Sequence, residues 1–136
     1  MLTPDQRETV VASLLKSHET KVQGERPSAM FPDIAIEDSY AISSMVAERR
    51  VAAGARIVGH KIGLTSKAMQ ASSKIDEPDY GYIFDDLLIA NGAKVPFESF
   101  CVPRVEPELT FVLKSPLKGP GVGLLDVLRA TEYVVP

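Results

Sequence analysis

Two apolar stripes at helical spacing mark the first third of the chain. Thr3, Pro4 and Gln6 form the start of the first helix, because Thr3 is placed as N-cap and Gln6 completes a capping box. A polar stretch over residues 16–26 predicts a loop after it. The second stripe consists of Ile42, Met45, Val46 and Ala53. It predicts a helix from about residue 37 to Ala53, and Gly54 is the expected end of that helix. The residues of the first stripe are Val10, Val11, Leu14 and Leu15.

The pattern changes at residue 56 to a short apolar run that predicts a buried strand over residues 57–64. Lys61 lies on one face of this strand between Gly59 and Gly63, which leaves space where a substrate could approach. The alternative is a lysine at a strand end whose ammonium reaches water. His60 falls on the opposite, apolar face, where a hydrogen-bonded core histidine is expected.

A turn is predicted at residues 78–81, where Pro78 and Gly81 flank Asp79 and Tyr80. Asp79 has two interpretations. It either holds that turn through its own backbone or presents an acid or base on a loop at the mouth of a site. Further along, residues 124–130 predict a last helix and residues 131–136 an extended segment.

Residues 102–113 alternate in a way that predicts a strand with Glu106 and Glu108 on one face, ~7 Å apart at Cα. A hard divalent cation between these two carboxylates would remove their repulsion, and Mg²⁺, Mn²⁺ and Ca²⁺ accept oxygen ligands. The alternative is an edge strand whose acidic residues and Pro107 simply face water. Taken alone, the segment favours the edge strand.

Composition narrows the class of protein. With 136 residues, 45% hydrophobic and 24% charged, the chain fits one soluble domain. A net charge of -3 without a basic run argues against a nucleic-acid partner. The single cysteine, Cys101, cannot form an internal disulfide, which fits a reducing cytoplasm. No apolar stretch approaches the ~20 residues of a membrane span, so neither export nor membrane insertion is expected.

Four strings, at residues 36–41, 59–70, 77–81 and 102–113, together resemble the hydratase branch of the fumarylacetoacetate hydrolase superfamily. The resemblance covers nearly the whole chain in order. The string GHKIGLTSKAMQ at residues 59–70 is its most specific part. The 2-keto-4-pentenoate hydratases and the 4-oxalocrotonate decarboxylases share this framework.

The resemblance implies an α+β fold, a mixed and bent β-roll with peripheral N-terminal helices. Residues 1–55 would be the helical region, and residues 56–136 the first part of the metal-binding roll. It further implies a cytoplasmic homo-oligomer. Family members continue for roughly as many residues again and carry a third ligand glutamate shortly beyond the matched part. The chain is therefore expected to hold only the N-terminal half, with two of three carboxylate ligands.

The same resemblance implies the site. Glu106 and Glu108 would bind Mg²⁺ or Mn²⁺, Lys61 would contact the substrate or move protons, and Asp79 would be its acid/base partner. The implied reaction adds water to a 2-hydroxydienoate or 2-oxo-alkenoate diacid in aromatic compound degradation. Arg104 is a candidate partner for the second carboxylate of a seven-carbon diacid; alternatively it is a surface charge or a subunit contact.

Two rival functions stay open at this point. A decarboxylase of the same family would form the same enolate after loss of CO₂, and a 2-keto-4-pentenoate hydratase would accept a five-carbon monoacid. The other rival is a non-catalytic binding or oligomerisation fragment, which the missing third ligand supports.

Overall fold

The computed structural model describes all of residues 1–136, with five helices, four strands and two short 3₁₀ turns. The helices are α1 (Pro4–Thr20), α2 (Pro27–Met30), α3 (Ile36–Ala52), α4 (Lys67–Ser73) and α5 (Leu124–Ala130). The strands are β1 (Ile57–Gly63), β2 (Asp79–Phe84), β3 (Thr110–Leu113) and β4 (Thr131–Val135). The 3₁₀ turns are Asp85–Leu87 and Phe97–Ser99. This mixed arrangement, with helices before two small sheets, confirms the predicted α+β class.

Helix α1 begins as the capping box predicts. The backbone amide of Gln6 donates to Thr3 Oγ1 at 3.3 Å, and the backbone amide of Thr3 donates to the side-chain oxygen Oε1 of Gln6 at 2.8 Å. These two bonds satisfy amides that the helix itself leaves unpaired. The helix runs on to Thr20, past the predicted start of a loop at Lys16, because no glycine or proline interrupts it before Gly24.

Helices α1 and α3 pack together and bury the small core of the chain. Val10 and Val11 of α1 are fully buried, and Ile42 of α3 and Leu2 join them. Several half-buried apolar side chains surround this cluster, among them Leu15 and residues of α2 and α3. The two stripes read from the sequence therefore face each other, as amphipathic helices must to remove apolar surface from water.

Asp38 is buried at the start of α3 and joins three parts of the chain. Its carboxylate accepts hydrogen bonds from the Leu2 amide at 3.0 Å and the Ala35 amide at 3.1 Å. Arg7 donates to it through Nε at 3.0 Å and Nη2 at 2.7 Å. Burial alone would raise the pKa of Asp38, but the bonds from Ala35, Arg7 and Leu2 outweigh it and lower the pKa below its usual value.

The first sheet is the antiparallel pair β1–β2. Lys61 lies opposite Gly81, and Gly63 lies opposite Asp79. The turn predicted at residues 78–81 is therefore wrong, since Asp79 is the first residue of β2 and not part of a loop. Strand propensity of the aromatic residues in β2 prevails over the local Pro–Asp and Gly turn signals.

Strand β1 is largely exposed, contrary to the prediction of a buried strand. Strand β1 pairs only with β2, and no helix packs extensively against it to cover its faces. His60 is also exposed, so the prediction of a core histidine is wrong; its ring lies 5.4 Å from the ring of Tyr82.

Arg50 of α3 links this helix to the end of β2 through an ion pair and a ring contact. Its Nη2 atom donates to both carboxylate oxygens of Asp86, at 2.7 and 2.6 Å. Its guanidinium lies 4.0 Å from the centre of the Phe84 ring, and Phe84 itself is buried. Nearby, Asp85 accepts from the Arg56 amide and from Arg56 Nε, both at 2.9 Å. The two aspartates thus have specific partners.

The second sheet pairs β3 with β4, from Thr110 opposite Val135 to Leu113 opposite Thr131. Helix α5 leads directly into β4, and Thr131 Oγ1 donates back to the Val127 carbonyl at 2.7 Å. The strand predicted over residues 102–113 is wrong for most of its length, because only Thr110–Leu113 is a strand. Two prolines in the preceding residues lack the amide that a ladder needs.

By compactness the chain consists of two units, Met1–Val102 and Pro103–Pro136. Helices α1 to α4 and the β1–β2 sheet belong to the first unit, and β3, α5 and β4 to the second. The division predicted between residues 55 and 56 follows a change in the type of secondary structure and stays a prediction. None of the helices combines the length and the apolar character needed to cross a membrane.

Candidate functional site

A groove of about 440 Å³ in the first unit brings together two of the residues predicted to do chemistry, Lys61 and Asp79. The other residues of its wall come from the start of α3 and from the segment that leads into β2. They include Ile36, Ser39, Tyr40, Ser43, Ile75, Glu77, Pro78, Tyr80 and Gly81. The groove is therefore mixed, with apolar walls and a few charged or hydroxyl groups, as expected for a small-molecule site.

The register of the first sheet places these two side chains on one face. Residues directly opposite each other in an antiparallel pair share a face, as do residues two apart along a strand. Lys61 is opposite Gly81, which is two residues from Asp79, and Asp79 is opposite Gly63. Lys61 and Asp79 are thus diagonal neighbours, and each has a glycine directly across the ladder.

Sequence reasoning did not single out the aromatic wall of this groove. The Tyr40 ring of α3 stacks on the Tyr80 ring of β2, with 4.8 Å between ring centres and an angle of 17° between planes. Tyr80 also meets the edge of Tyr82, and the Tyr82 hydroxyl lies 3.4 Å from Ser44 Oγ of α3. Tyr80, Tyr82 and Phe84 alternate along the chain, and that period-2 pattern was the signal for a strand whose aromatic face packs on a helix.

Glu106 and Glu108 lie in the irregular segment before β3, in the second unit. Both are exposed, and the regular strand that would have aligned them on one face does not form. Among residues 1–136, no three or more His, Cys, Asp or Glu side chains are grouped so that they could hold a metal ion. The chemistry of the donors nevertheless fits a hard divalent cation, because Mg²⁺ is commonly bound by one or two carboxylates and keeps several waters.

Arg104, the predicted partner of a second substrate carboxylate, is exposed in the same irregular segment. The structure thus brings Lys61 and Asp79 together in one groove. It places Glu106, Glu108 and Arg104 in the other unit, within five residues of one another along the chain.

Known proteins with related sequences are enzymes of one group. The chain is 47% identical over 129 residues to 2-oxo-hept-4-ene-1,7-dioate hydratase of Escherichia coli, covering 94% of this chain and 48% of that protein. It is 40% identical over 139 residues to 2-keto-4-pentenoate hydratase of Paraburkholderia xenovorans, and the match covers 99% of this chain and 50% of that protein. The chain belongs to this family of hydratases and decarboxylases. No family model matches it.

Solved structures support the same relationship within the family. The fold matches 4-oxalocrotonate decarboxylase of Pseudomonas putida G7 with a TM-score of 0.92 and 32% identity, over 100% of this chain and 52% of that one. That decarboxylase was solved in complexes with calcium and acetate and with magnesium and adipate. The chain spans about half the length of the curated relatives it matches.

Proposed function

We propose that this chain takes part in the metal-dependent hydration of a 2-oxo-alkenoate diacid, 2-oxo-hept-4-ene-1,7-dioate, to 4-hydroxy-2-oxoheptanedioate. The observation that carries the proposal is the placement of Lys61 and Asp79 on one sheet face and in one groove. Support also comes from the 47% identity to a hydratase named for that substrate. Such an activity makes the whole protein a hydro-lyase of aromatic compound degradation.

Proton transfer is the work of Lys61 and Asp79 in this proposal. Adding water across a conjugated system requires a base that takes a proton from water or carbon and an acid that returns one elsewhere. An ammonium and a carboxylate on the same face supply both roles within a single groove. The stacked rings of Tyr40 and Tyr80 line the same groove and would give the substrate an apolar surface.

Glu106 and Glu108 are the proposed metal ligands. Mg²⁺ or Mn²⁺, when bound, would act as a Lewis acid that polarises the oxygen atoms of the substrate. The two side chains are separated by one residue, Pro107, which restricts the backbone between them. The magnesium and calcium complexes of the related decarboxylase support a divalent metal in the family.

Arg104 is the proposed contact for the second carboxylate of the substrate. A guanidinium can bind a carboxylate through two parallel hydrogen bonds, which makes it more selective for that group than a lysine would be. The name of the relative at 47% identity, a dioate hydratase, supports a diacid. The expected homo-oligomer and the cytoplasmic location remain predictions.

A decarboxylase is the second candidate, because the structural match at a TM-score of 0.92 is to 4-oxalocrotonate decarboxylase. Two curated decarboxylases are 37% and 36% identical to this chain, lower than the 47% of the hydratase. Release of CO₂ from the substrate would favour this candidate over hydration.

The deciding experiment follows the loss of the conjugated dienoate absorbance, with CO₂ release measured in parallel. In the whole protein, Lys61→Ala and Asp79→Asn should each lower turnover by ~10² or more with an unchanged circular dichroism spectrum, because each removes a general acid or base. His60→Ala is the matched control, since His60 is an exposed residue of β1 on the opposite face of the sheet. Turnover by Lys61→Ala within a few-fold of the unmodified chain would show that the proposed role of Lys61 is wrong.

A further inference from the structure

The carboxylate of Asp79 lies in the space where residue 63 would carry a side chain. A β-carbon built on Gly63 would overlap Asp79 Oδ1, and it would lie 3.2 Å from Cγ and 3.5 Å from Oδ2 of the same carboxylate. All three terminal heavy atoms of Asp79 are therefore within 3.5 Å of the position that a β-carbon at residue 63 would take. The Asp79 carboxylate thus lies over Gly63, the residue directly opposite it on the neighbouring strand.

Backbone conformation does not explain the glycine. The glycines with positive φ are Gly54, Gly92 and Gly121, so Gly63 adopts a backbone that other residues also adopt. A glycine within a strand also weakens it, because it loses more conformational freedom on folding and packs no side chain. A glycine is therefore needed at position 63 because a side chain there would occupy the space of the Asp79 carboxylate.

The other two glycines of this sheet differ from Gly63. A β-carbon on Gly81, opposite Lys61, would lie 4.0 Å from Lys61 Cγ, and one on Gly59 would lie 3.9 Å from Ile83 Cδ1. Both distances are ordinary van der Waals contacts. Among the three, only Gly63 has a functional group in the volume of its missing side chain.

We propose that Gly63 is a positioning residue, whose missing side chain lets the Asp79 carboxylate lie across the ladder on the face that carries Lys61. A methyl group at position 63 forces the carboxylate into another rotamer, because Asp79 is short and its β-carbon is held by the strand pairing. The catalytic consequence rests on the proposed function, whereas the geometry does not.

The first test is structural and needs no turnover. In NMR spectra of Gly63→Ala, the three-bond couplings of the Asp79 β-protons or the carboxyl ¹³C shift should change, with Asp79→Asn used for assignment. Gly81→Ala is the matched control and should leave both signals as in the unmodified chain. Unchanged Asp79 signals in Gly63→Ala would overturn the proposal. If Gly63→Ala lowers the melting temperature, it should lower it much less when it is added to Asp79→Ala; an equal loss in the absence of the carboxylate would also overturn the proposal.

The second test separates positioning from catalysis. Gly63→Ala should lower kcat about tenfold or more with little change in KM. Combining Gly63→Ala with Asp79→Asn should cost no more than Asp79→Asn alone, because both changes remove the same interaction. Fully additive losses would overturn the positioning role. Full activity in Asp79→Asn would instead refute the proposed function of Asp79, and the NMR result would still decide the geometry.

Discussion

The paired helices and the glutamate-bearing segment show opposite relations between fold and function. Helices α1 and α3 bury Val10, Val11 and Asp38 completely, and no proposed catalytic group lies on α1. Residues 103–109 carry three proposed site residues but have no regular structure, and Val105 within them is 98% exposed. Stability is thus concentrated in one region, and the proposed ligand chemistry lies in a region with little packing of its own.

The largest expected effect is on the helical region. Asp38→Asn should lower the melting temperature by more than about 10 °C, because it replaces one acceptor oxygen by an NH₂ group that cannot accept a hydrogen bond and leaves Arg7 facing no charge. Glu37→Gln, at the preceding exposed position, is the control and should change it little. Thermal unfolding followed by circular dichroism measures both. Equal melting temperatures for the two variants would show that Asp38 does not hold the helices together.

Metal binding should depend on the irregular segment and not on the helices. Glu106→Gln and Glu108→Gln should each weaken Mn²⁺ binding about tenfold or more and leave the melting temperature without metal unchanged. Glu132→Gln is the control, since Glu132 is an exposed residue of β4 in the same unit. Calorimetric titration with Mn²⁺ and Mg²⁺ provides the measurement. The ligand assignment is wrong if Glu132→Gln weakens binding as much as the other two changes.

Substrate preference is the next smaller effect expected in the irregular segment. Arg104→Gln should lower kcat/KM for the seven-carbon diacid several-fold more than for a five-carbon monoacid, because only the diacid has a second carboxylate to lose its partner. Arg129→Gln, in α5, is an exposed control in the same unit. Competing assays with both substrates measure the ratio. An equal loss of kcat/KM on both substrates would show that Arg104 does not bind the second carboxylate.

Acid should affect the helical region through the depressed pKa of Asp38. Because the folded-state pKa lies below the ordinary value of 3.8, this contribution to stability is fully present above that value. It is lost as the pH falls through the lower folded pKa. As the pH falls below 3.8, the unmodified chain should therefore lose more stability than Asp38→Asn does. Parallel acid-unfolding curves for the two proteins would contradict this assignment.

The smallest effect is expected at the ion pair of Arg56 with Asp85. Asp85 has a lowered pKa, chiefly because the Arg56 amide and guanidinium donate to it, but the Arg56 side chain is mostly exposed. Exposed ion pairs contribute little because water and salt screen them. Arg56→Gln should thus shift the melting temperature far less than Asp38→Asn, and 0.5 M salt should remove most of the difference. If Arg56→Gln shifted the melting temperature as much as Asp38→Asn, solvent exposure would not explain the relative contributions of the Arg56–Asp85 and Arg7–Asp38 ion pairs to stability.

Sequence patterns predicted those parts of the fold that are encoded locally. The capping box of Thr3 and Gln6, the second helix and its end before Gly54, and the last helix all follow from neighbouring residues. These features depend on contacts within a few positions along the chain. The buried role of Asp38 was not predicted, because its partners Leu2 and Arg7 are more than 30 positions away.

Prediction failed where the outcome depended on what covers a strand. An apolar run at residues 57–64 suggested burial, but only one neighbouring strand pairs with β1, and His60 is exposed. Alternation at residues 102–113 suggested a strand, but the regular strand and its pairing with β4 begin only at Thr110. The resemblance implied Asp79 as the partner of Lys61, but their placement on one face depends on the register of β1 against β2, which residues 59–70 alone do not contain.

The attachment of Arg50 to Asp86 and Phe84 has a consequence for how the first unit opens. Through this one side chain, α3 is tied to the last residue of β2 and to the turn that follows it. Local unfolding of that strand end must therefore break the ion pair and the ring contact before it can leave the helix. In hydrogen exchange, the amides of Phe84 and of the last turn of α3 should be released together, whereas the edge of β1 should exchange earlier as a separate unit.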